Sequence, residues 1–250
     1  MALLLLDIGN THTHLGLADS RRITKHSDIE TAAWFNRKAL AQVAAFVGRV
    51  RPGGVALCSV VPRATARARE AIGGRWHLPC LELTAKTVRG VGIEYPRPET
   101  IGPDRLANAV AARARYGAPV VVVDFGTAVT FDVVNRAGKY IGGIIAPGLA
   151  VMTDYLHEKT ALLPRIKIRE VGSPIGKSTE HAMRVGAFHG YRGMIRELIR
   201  ELKRELSVRR LPVIATGGYA RLMAANLTEI KAVDPLLTLE GLRLVWQFHA

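Results

Sequence analysis

Two short segments, 117 positions apart, share one pattern. Each has an aspartate, Asp7 or Asp124, directly after an apolar run, and a glycine two residues after that aspartate. Four leucines precede Asp7 and Gly9, and four valines precede Asp124 and Gly126. A turn of this composition offers backbone N–H groups and hydroxyls to a phosphate, and its carboxylate can hold Mg²⁺. Two such turns indicate a site that holds a nucleotide's phosphates from two sides. One copy alone could be only a hairpin with an Asp-Gly turn.

A third aspartate, Asp104, stands between Pro103 and Arg105, directly before an apolar helical segment. Asp104 could act as a general base that takes a proton from a substrate hydroxyl. Arg105 could then offer a planar fork to a carboxylate or a phosphate. The commoner use of an aspartate at this point is as the N-cap of a helix. The sequence leaves both interpretations open.

A glycine pair, Gly217 and Gly218, follows a short apolar run and precedes a helical segment. Such a strand-to-helix turn could lie against a flat adenine ring. Glycine is also the ordinary turn residue, so the pair by itself is weak support for nucleotide binding.

Composition limits the classes of partner. The 250 residues are 48% apolar and 22% charged, which is typical of a globular core. Thirty-five basic against 21 acidic residues give a net charge of +14, which favours anionic partners without choosing among nucleotides, carboxylates, nucleic acid and membranes.

The apolar run before Asp7 is interpreted as a buried strand, because it is far shorter than the ~18 residues of a membrane span. Cys58 and Cys80 are too few for a disulfide framework and are compatible with a reducing cytoplasm.

Strands and helices alternate along the chain, which predicts an α/β protein. Each Asp-Gly segment predicts a β-hairpin with its aspartate at the tip. The repeat at half the chain length predicts two similar domains, 1–116 and 117–250. Helices are predicted over 31–49, from 62 onward, and over 102–116, 177–206 and 236–248; further strands are predicted over 55–61, 77–83, 139–145 and 212–215.

The order of these motifs resembles that of the type III pantothenate kinases over almost the whole chain. The motifs that carry the resemblance are Asp7-x-Gly9-Asn10-Thr11, Ser59-Val-Val-Pro62, Gly102-x-Asp104-Arg105, Asp124-Phe-Gly126-Thr127, Gly142-Gly143 with Pro147-Gly148, Leu163-Pro164 and Gly176-Lys-x-Thr179. Each motif is modest alone, whereas their ordered combination is specific. The resemblance implies two ribonuclease-H-like domains, an actin-like ATPase duplication, with the active site in the interdomain cleft.

The reaction that the resemblance implies is transfer of the ATP γ-phosphate to the 4′-hydroxyl of pantothenate, the first step of coenzyme A biosynthesis. Asp104 would be the base, Asp7 would lie near Mg²⁺, and Asp124 would hold a monovalent cation, K⁺ or ammonium. The expected partners are ATP, pantothenate and a second copy of the chain in a cytoplasmic homodimer, with neither a membrane nor nucleic acid.

The resemblance and the turn chemistry together name the site residues. The expected ATP-binding residues are Asp7, Ile8, Gly9, Asn10, Thr11, His12, Thr13, His14, Thr127, Gly217 and Gly218. The expected pantothenate-binding residues are Tyr95, Gly102, Pro103, Asp104, Arg105 and Thr179. The chain departs from the family pattern at Pro103, where a small residue is usual, and near Tyr95, where an asparagine is often found.

Two alternatives are weighed against this hypothesis. A sugar or acetate kinase of the same superfamily is disfavoured by the short chain and by the Gly-x-Asp-Arg motif. A non-catalytic regulator on the same scaffold, binding nucleic acid through its charge, is disfavoured because Asp7, Asp104 and Asp124 are all present.

Overall fold

The first sheet is built around the leucine run that precedes Asp7. In the computed structural model, which describes residues 2–36 and 38–250, Leu4, Leu5 and Leu6 are fully buried. The strands are β1 (Ala2–Ile8), β2 (His12–Ala18), β3 (Ile23–Glu30), β4 (Pro52–Ser59) and β5 (Cys80–Glu82), in the order β3-β2-β1-β4-β5. Strands β1, β2 and β3 pair antiparallel, whereas β4 is parallel to β1 and β5 is parallel to β4.

The helix predicted over 31–49 is divided into two parts. A 3₁₀ turn covers Thr31–Trp34, and helix α1 covers Ala39–Val47. The break follows from Asn36, whose side-chain oxygen accepts a hydrogen bond of 3.2 Å from the Lys38 N–H and so competes with the helical pattern.

Helix α2 (Pro62–Trp76) begins at the proline predicted to open it. It ends at His77, which has a left-handed backbone, so the strand predicted from 77 begins only at Cys80. The short strand β6 (Gly92–Ile93) and helix α3 (Pro103–Tyr116) follow.

The second sheet is built around the valine run that precedes Asp124. Its strands include β7 (Val120–Phe125), β8 (Ala128–Val134), β9 (Lys139–Pro147), β10 (Val213–Thr216) and β11 (Ala232–Val233), in the order β11-β10-β7-β8-β9. Strands β7 and β8 are antiparallel, whereas β10 is parallel to β7 and β11 is parallel to β10. The remaining helices are α4 (Leu149–Lys159), α5 (Thr179–Val185), α6 (Tyr191–Glu205), α7 (Ala220–Ala224) and α8 (Leu237–Gln247), with a π-helical turn at Gly186–Gly190.

The two sheets repeat one topology. Each has an antiparallel hairpin that carries the Asp-Gly segment, and the first strand of that hairpin pairs in parallel with a later strand. The predicted α/β class with two hairpins is confirmed. The prediction that each aspartate stands at the hairpin tip is wrong, because Asp7 pairs with His14 and Asp124 pairs with Thr130, one residue pair before the connection.

The chain divides into two compact units, each built from segments that are separate in sequence. The first contains the chain up to Ala118 together with Arg136–Gly142 and Leu236–Ala250, and the second contains Pro119–Asn135 and Gly143–Pro235. Helix α8 joins the first unit because it packs on α3 so closely that a Cβ at Gly241 would overlap the Ala107 carbonyl. Domain boundaries at 116 and 117 stay a prediction.

None of the helices in the described parts of the chain combines the length and the apolar character needed to cross a membrane.

Candidate active site

The connection of the first hairpin, Gly9–Thr11, is tied to the residue that follows β3. The Thr31 hydroxyl donates a hydrogen bond of 2.7 Å to the Gly9 carbonyl, and the Thr31 N–H donates one of 2.9 Å to the Thr11 carbonyl. Asn10, Thr11 and His12 are exposed on this fixed turn. This turn therefore presents exposed polar side chains to a ligand such as a phosphate.

Of the other residues predicted around this turn, Ile8 and Thr13 face the protein interior. Ile8 is fully buried in the core, so only its backbone can reach a ligand. The Thr13 side chain is buried as well, and its Oγ1 lies 3.1 Å from the Thr31 hydroxyl. His14 is exposed, with its Nδ1 2.6 Å from an Asp28 carboxylate oxygen.

Asp7 lies opposite Cys58 in the parallel pairing of β1 with β4. The Cys58 thiol is fully buried and donates a hydrogen bond of 3.3 Å to Asp7 Oδ1. Burial raises the pKa of Cys58 well above its ordinary value, and the negative charges of Asp7 and Asp104 raise it further. Because the charges of Asp7 and Asp104 both raise the pKa of this thiol, two of the three predicted acids lie in one region of the first unit.

Asp104 is held in the first turn of α3. The N-cap of that helix is Gly102, and no side chain caps it, so the interpretation of Asp104 as a simple N-cap is wrong. Asp104 Oδ1 accepts a hydrogen bond of 2.9 Å from the Arg105 N–H, and a Cβ at Gly102 would lie 2.5 Å from the same oxygen. Pro103 is the first residue of the helix, where its missing N–H costs nothing.

Burial raises the pKa of Asp104 above the value of an ordinary aspartate. The N–H and the positive charge of Arg105 oppose that shift without cancelling it. A carboxylate with a raised pKa accepts a proton more readily, so Asp104 is suited to general-base chemistry.

A tyrosine pair lies beside Arg105. The rings of Tyr95 and Tyr140 meet edge to face at 6.3 Å, and the Arg105 guanidinium lies over the Tyr140 ring at 5.8 Å from its centroid. Tyr95 is 37% exposed, whereas Tyr140 is buried. Sequence reasoning named Tyr95 and Arg105 but missed Tyr140, because its place beside them depends on the pairing of β6 with β9.

The second hairpin is held by close backbone approach. Gly217 has a left-handed φ of +90°, and a Cβ there would lie 2.5 Å from Asp124 Oδ1. Thr127 is exposed at the hairpin connection, and its carbonyl accepts a hydrogen bond of 3.1 Å from the Gly148 N–H. Asp124, Thr127 and Gly217 are therefore neighbours in the second unit. Gly218 is exposed beside open space.

Thr179 is the first residue of α5, in the second unit. Its side chain is exposed, and the preceding Ser178 caps the helix by accepting a hydrogen bond of 3.2 Å from the His181 N–H. A role for Thr179 in substrate binding stays a prediction.

The described part of the chain holds no group of three His, Cys, Asp or Glu side chains arranged to ligate a metal ion. A divalent ion at Asp7 would therefore complete its coordination with phosphate oxygens and water. This is the usual manner of Mg²⁺, so the residues present fit that ion.

Comparison with solved structures identifies the class of the fold. An inorganic polyphosphate/ATP-glucomannokinase from Arthrobacter sp. strain KM superposes with a TM-score of 0.53 at 13% identity, covering 100% of this chain and 99% of the kinase. The chain therefore has the two-sheet α/β fold found in sugar kinases.

Sequence comparison identifies the family within that class. The family described as "Type III pantothenate kinase" matches residues 3–201. A type III pantothenate kinase of Akkermansia muciniphila is 46% identical over 244 residues, covering 98% of each chain. One of Methylacidiphilum infernorum is 43% identical over 246 residues, covering 97% of this chain and 87% of the relative. The chain belongs to the type III pantothenate kinase family, which confirms the resemblance seen in its motifs.

Proposed function

We propose that the chain transfers the γ-phosphate of ATP to the 4′-hydroxyl of pantothenate, giving ADP and 4′-phosphopantothenate at the start of coenzyme A biosynthesis. In a chain of this family, the observation that carries this proposal is that Asp7 accepts a hydrogen bond from the buried Cys58 thiol while Asp104 lies near enough for its charge to raise the pKa of the same thiol. One acid suits the phosphates and their metal ion, and the other suits the acceptor hydroxyl.

Asp104 takes the proton of the pantothenate 4′-hydroxyl. The hydroxyl oxygen then bonds to the γ-phosphorus, and the bond from that phosphorus to the bridging oxygen of ADP breaks. Phosphoryl transfer leaves the protein mainly with positioning and charge stabilisation. Burial of Asp104 supports its role as the base, because its pKa is raised. When bound at Asp7 with the phosphates, Mg²⁺ supplies positive charge against the charge that develops during transfer.

ATP contacts are assigned to both hairpins. The N–H groups of Asn10 and Thr11 and the exposed side chains of Asn10, Thr11 and His12 bind phosphate oxygens. In the second unit Thr127 binds ATP, and Gly217 with Gly218 lies against the adenine. The exposure of Thr127 and Gly218 supports this assignment. The placement of the nucleotide in an interdomain cleft stays a prediction of the resemblance.

Pantothenate contacts are assigned to the start of α3 and its neighbours. Arg105 pairs with the pantothenate carboxylate, since a guanidinium matches a carboxylate with two parallel hydrogen bonds. Its position over the Tyr140 ring supports a fixed orientation. Tyr95, Gly102 and Pro103 line the site, and Thr179 contributes to a pantothenate pocket.

Asp124 is assigned to a monovalent cation, K⁺ or ammonium. Its carboxylate neighbours the Gly217 backbone, where the close packing leaves no space for a side chain. A carboxylate offers the hard oxygen ligands that such cations take.

A homodimer is proposed on the exposed apolar face of α4. Val151, Met152, Tyr155 and Leu156 are between 38% and 59% exposed and lie at i, i+4 spacings on that helix. A contiguous apolar face of this kind commonly marks a protein interface. Tyr155→Glu combined with Leu156→Glu should convert dimer to monomer in light scattering, whereas Glu158→Gln, on the same helix, should leave the mass unchanged.

The test of the proposed reaction is a coupled assay of ADP release. Wild-type protein should release ADP only with pantothenate present, and replacement of K⁺ by Na⁺ should lower the rate. Asp104→Asn should lower turnover by at least ~10²-fold while binding of ATP persists, since that is the usual effect of losing a general base. Near-normal turnover of Asp104→Asn would contradict its assigned role, and ADP release without pantothenate would contradict the substrate.

A further inference from the structure

The Gly9–Thr11 connection is linked to the protein interior by a chain of side-chain hydrogen bonds. The Trp34 Nε1–H donates a hydrogen bond of 3.1 Å to Thr13 Oγ1, Thr13 Oγ1 lies 3.1 Å from Thr31 Oγ1, and the Thr31 hydroxyl donates one of 2.7 Å to the Gly9 carbonyl. Trp34, Thr13 and Thr31 are each at most 4% exposed. We name these three residues the hydroxyl relay.

The direction of each bond in the relay follows from the number of protons available. An indole N–H can only donate, and each threonine hydroxyl has one proton to give. Because the Thr31 proton is given to the Gly9 carbonyl, the Thr13 proton points to Thr31 Oγ1. The oxygen of Thr13 in turn accepts from Trp34. Every proton in the relay is therefore directed toward Gly9.

The relay gives the connection a second attachment besides its own hairpin. The hairpin itself supplies the bond of 2.9 Å from the Gly9 N–H to the His12 carbonyl. Thr31 adds a hydroxyl bond to the Gly9 carbonyl and a backbone bond to the Thr11 carbonyl, so it holds both ends of the connection. The N–H groups between those ends are then fixed in direction before any ligand arrives.

We propose that Thr31, supported by Thr13 and Trp34, is a positioning residue for the nucleotide: the hydroxyl relay preorganises the Gly9–Thr11 backbone to receive phosphate oxygens. This inference rests on the proposed function, because it takes the phosphates of ATP as the ligand of that connection. None of the three side chains needs to touch the nucleotide. Preorganised donors bind an anion more tightly because less ordering is required on binding.

The test compares variants by the affinity for MgADP, measured by calorimetry, and by separate kcat and KM values. Thr31→Val keeps the shape of the side chain but removes the hydroxyl, and it should weaken MgADP binding about 3- to 10-fold, the range expected for one net hydrogen bond. KM for ATP should rise, and KM for pantothenate should stay within about 2-fold. Thr31→Ser should restore most of the affinity because it restores the donor.

Trp34→Phe removes the N–H at the far end of the relay together with part of the buried indole, and it should weaken binding less than Thr31→Val because Thr31 keeps its bond to Gly9. The double variant should lose less than the product of the two single losses, because the first break already uncouples the relay. Thr24→Val is the matched control. Thr24 lies on β3, the strand that precedes Thr31, and likewise donates a hydrogen bond to a backbone carbonyl, that of Leu17 at 3.0 Å. Loss of this bond should leave nucleotide affinity unchanged.

Two results would overturn the inference: unchanged MgADP affinity in Thr31→Val, or a Thr31→Ser variant as weak as Thr31→Val. Hydrogen exchange of the amides of residues 9–11 gives a readout that needs no nucleotide. These amides should exchange faster in Thr31→Val than in wild type, and equal rates would also overturn the inference. If wild-type protein binds no nucleotide yet the exchange difference is seen, the proposed function fails while the preorganised connection stands.

Discussion

The two Asp-Gly hairpins occupy equivalent positions in their sheets but are held by different interactions. The first has a connection of three residues that is bonded to the Thr31 hydroxyl, and its Asp7 accepts from the Cys58 thiol. The second has a connection of two residues that is packed against Gly148, and Gly217 packs against the two residues that precede that connection, Asp124 and Phe125. Side-chain donors fix the first hairpin, whereas close backbone packing fixes the second.

The difference shows what topology decides and what it leaves to residue type. In each sheet a parallel strand brings one residue opposite the aspartate: Cys58 stands opposite Asp7, and Thr216 stands opposite Asp124. The next residue is Ser59 in the first sheet and Gly217 in the second. Topology therefore decides where each acid finds its neighbours, and residue type decides whether that neighbour donates a hydrogen bond, as Cys58 does, or packs closely, as Gly217 does.

The largest effect on stability is expected at the second hairpin. Gly217→Ala should destabilise the protein by about 2–4 kcal/mol, because the left-handed φ strains an alanine and its Cβ would overlap the Asp124 carboxylate and the Phe125 backbone. For a chain of this size the melting temperature should fall by several degrees. Thermal unfolding followed by circular dichroism measures it.

Gly218→Ala is the matched control for that substitution, because nothing lies within 4 Å of a Cβ at Gly218. The neighbouring variant should melt within about 1–2 °C of wild type. Equal losses in both variants would mean that the turn is sensitive as a whole, and the close approach of Gly217 to Asp124 would lose its significance.

Much of this comparison could be predicted from the sequence. The two apolar runs, their Asp-Gly segments and the hairpins are local in sequence, and local periodicity predicted them. The contact of Cys58 with Asp7 could not be predicted, because it depends on the register of two strands 51 positions apart. Likewise the role of Thr31 depends on where β3 ends beside the connection, and the packing of Gly241 on Ala107 depends on a contact between distant helices.

A smaller effect is expected at the thiol beside the first hairpin. Cys58→Ala removes a buried hydrogen-bond donor to Asp7 and should destabilise the protein by about 1–2 kcal/mol. Cys58→Ser should lose less, because it keeps a donor at the same position. Cys80→Ala serves as the control, since Cys80 is exposed on β5 and its replacement should change the free energy of unfolding by less than about 0.5 kcal/mol. Urea unfolding of the three variants would separate these cases, and a Cys58→Ala variant as stable as wild type would contradict a structural role for the S–H bond.

The smallest effect on stability is expected at Asp104, which belongs to neither hairpin, and here the sign is the informative result. Its pKa is raised in the folded protein, so the folded state binds a proton more tightly than the unfolded state. The charged carboxylate therefore lowers stability above the folded pKa, and this loss disappears as the pH falls below the ordinary value of 3.8. Asp104→Asn should unfold at a higher temperature than wild type at neutral pH, with the difference shrinking through that acidic window.

Glu99→Gln is the control for this pH series, because Glu99 is an exposed carboxylate shortly before α3 and its replacement should not produce the same trend. A variant that gains stability at neutral pH while losing turnover would mean that the fold maintains a partly buried charge at a cost in stability, as expected for a base kept ready for its substrate. If Asp104→Asn were instead less stable than wild type at neutral pH and equal to it in acid, the carboxylate would be a favourable structural contact. Asp104 would then have a structural role, and the acids left in the proposed site would be those of the two hairpins, Asp7 and Asp124.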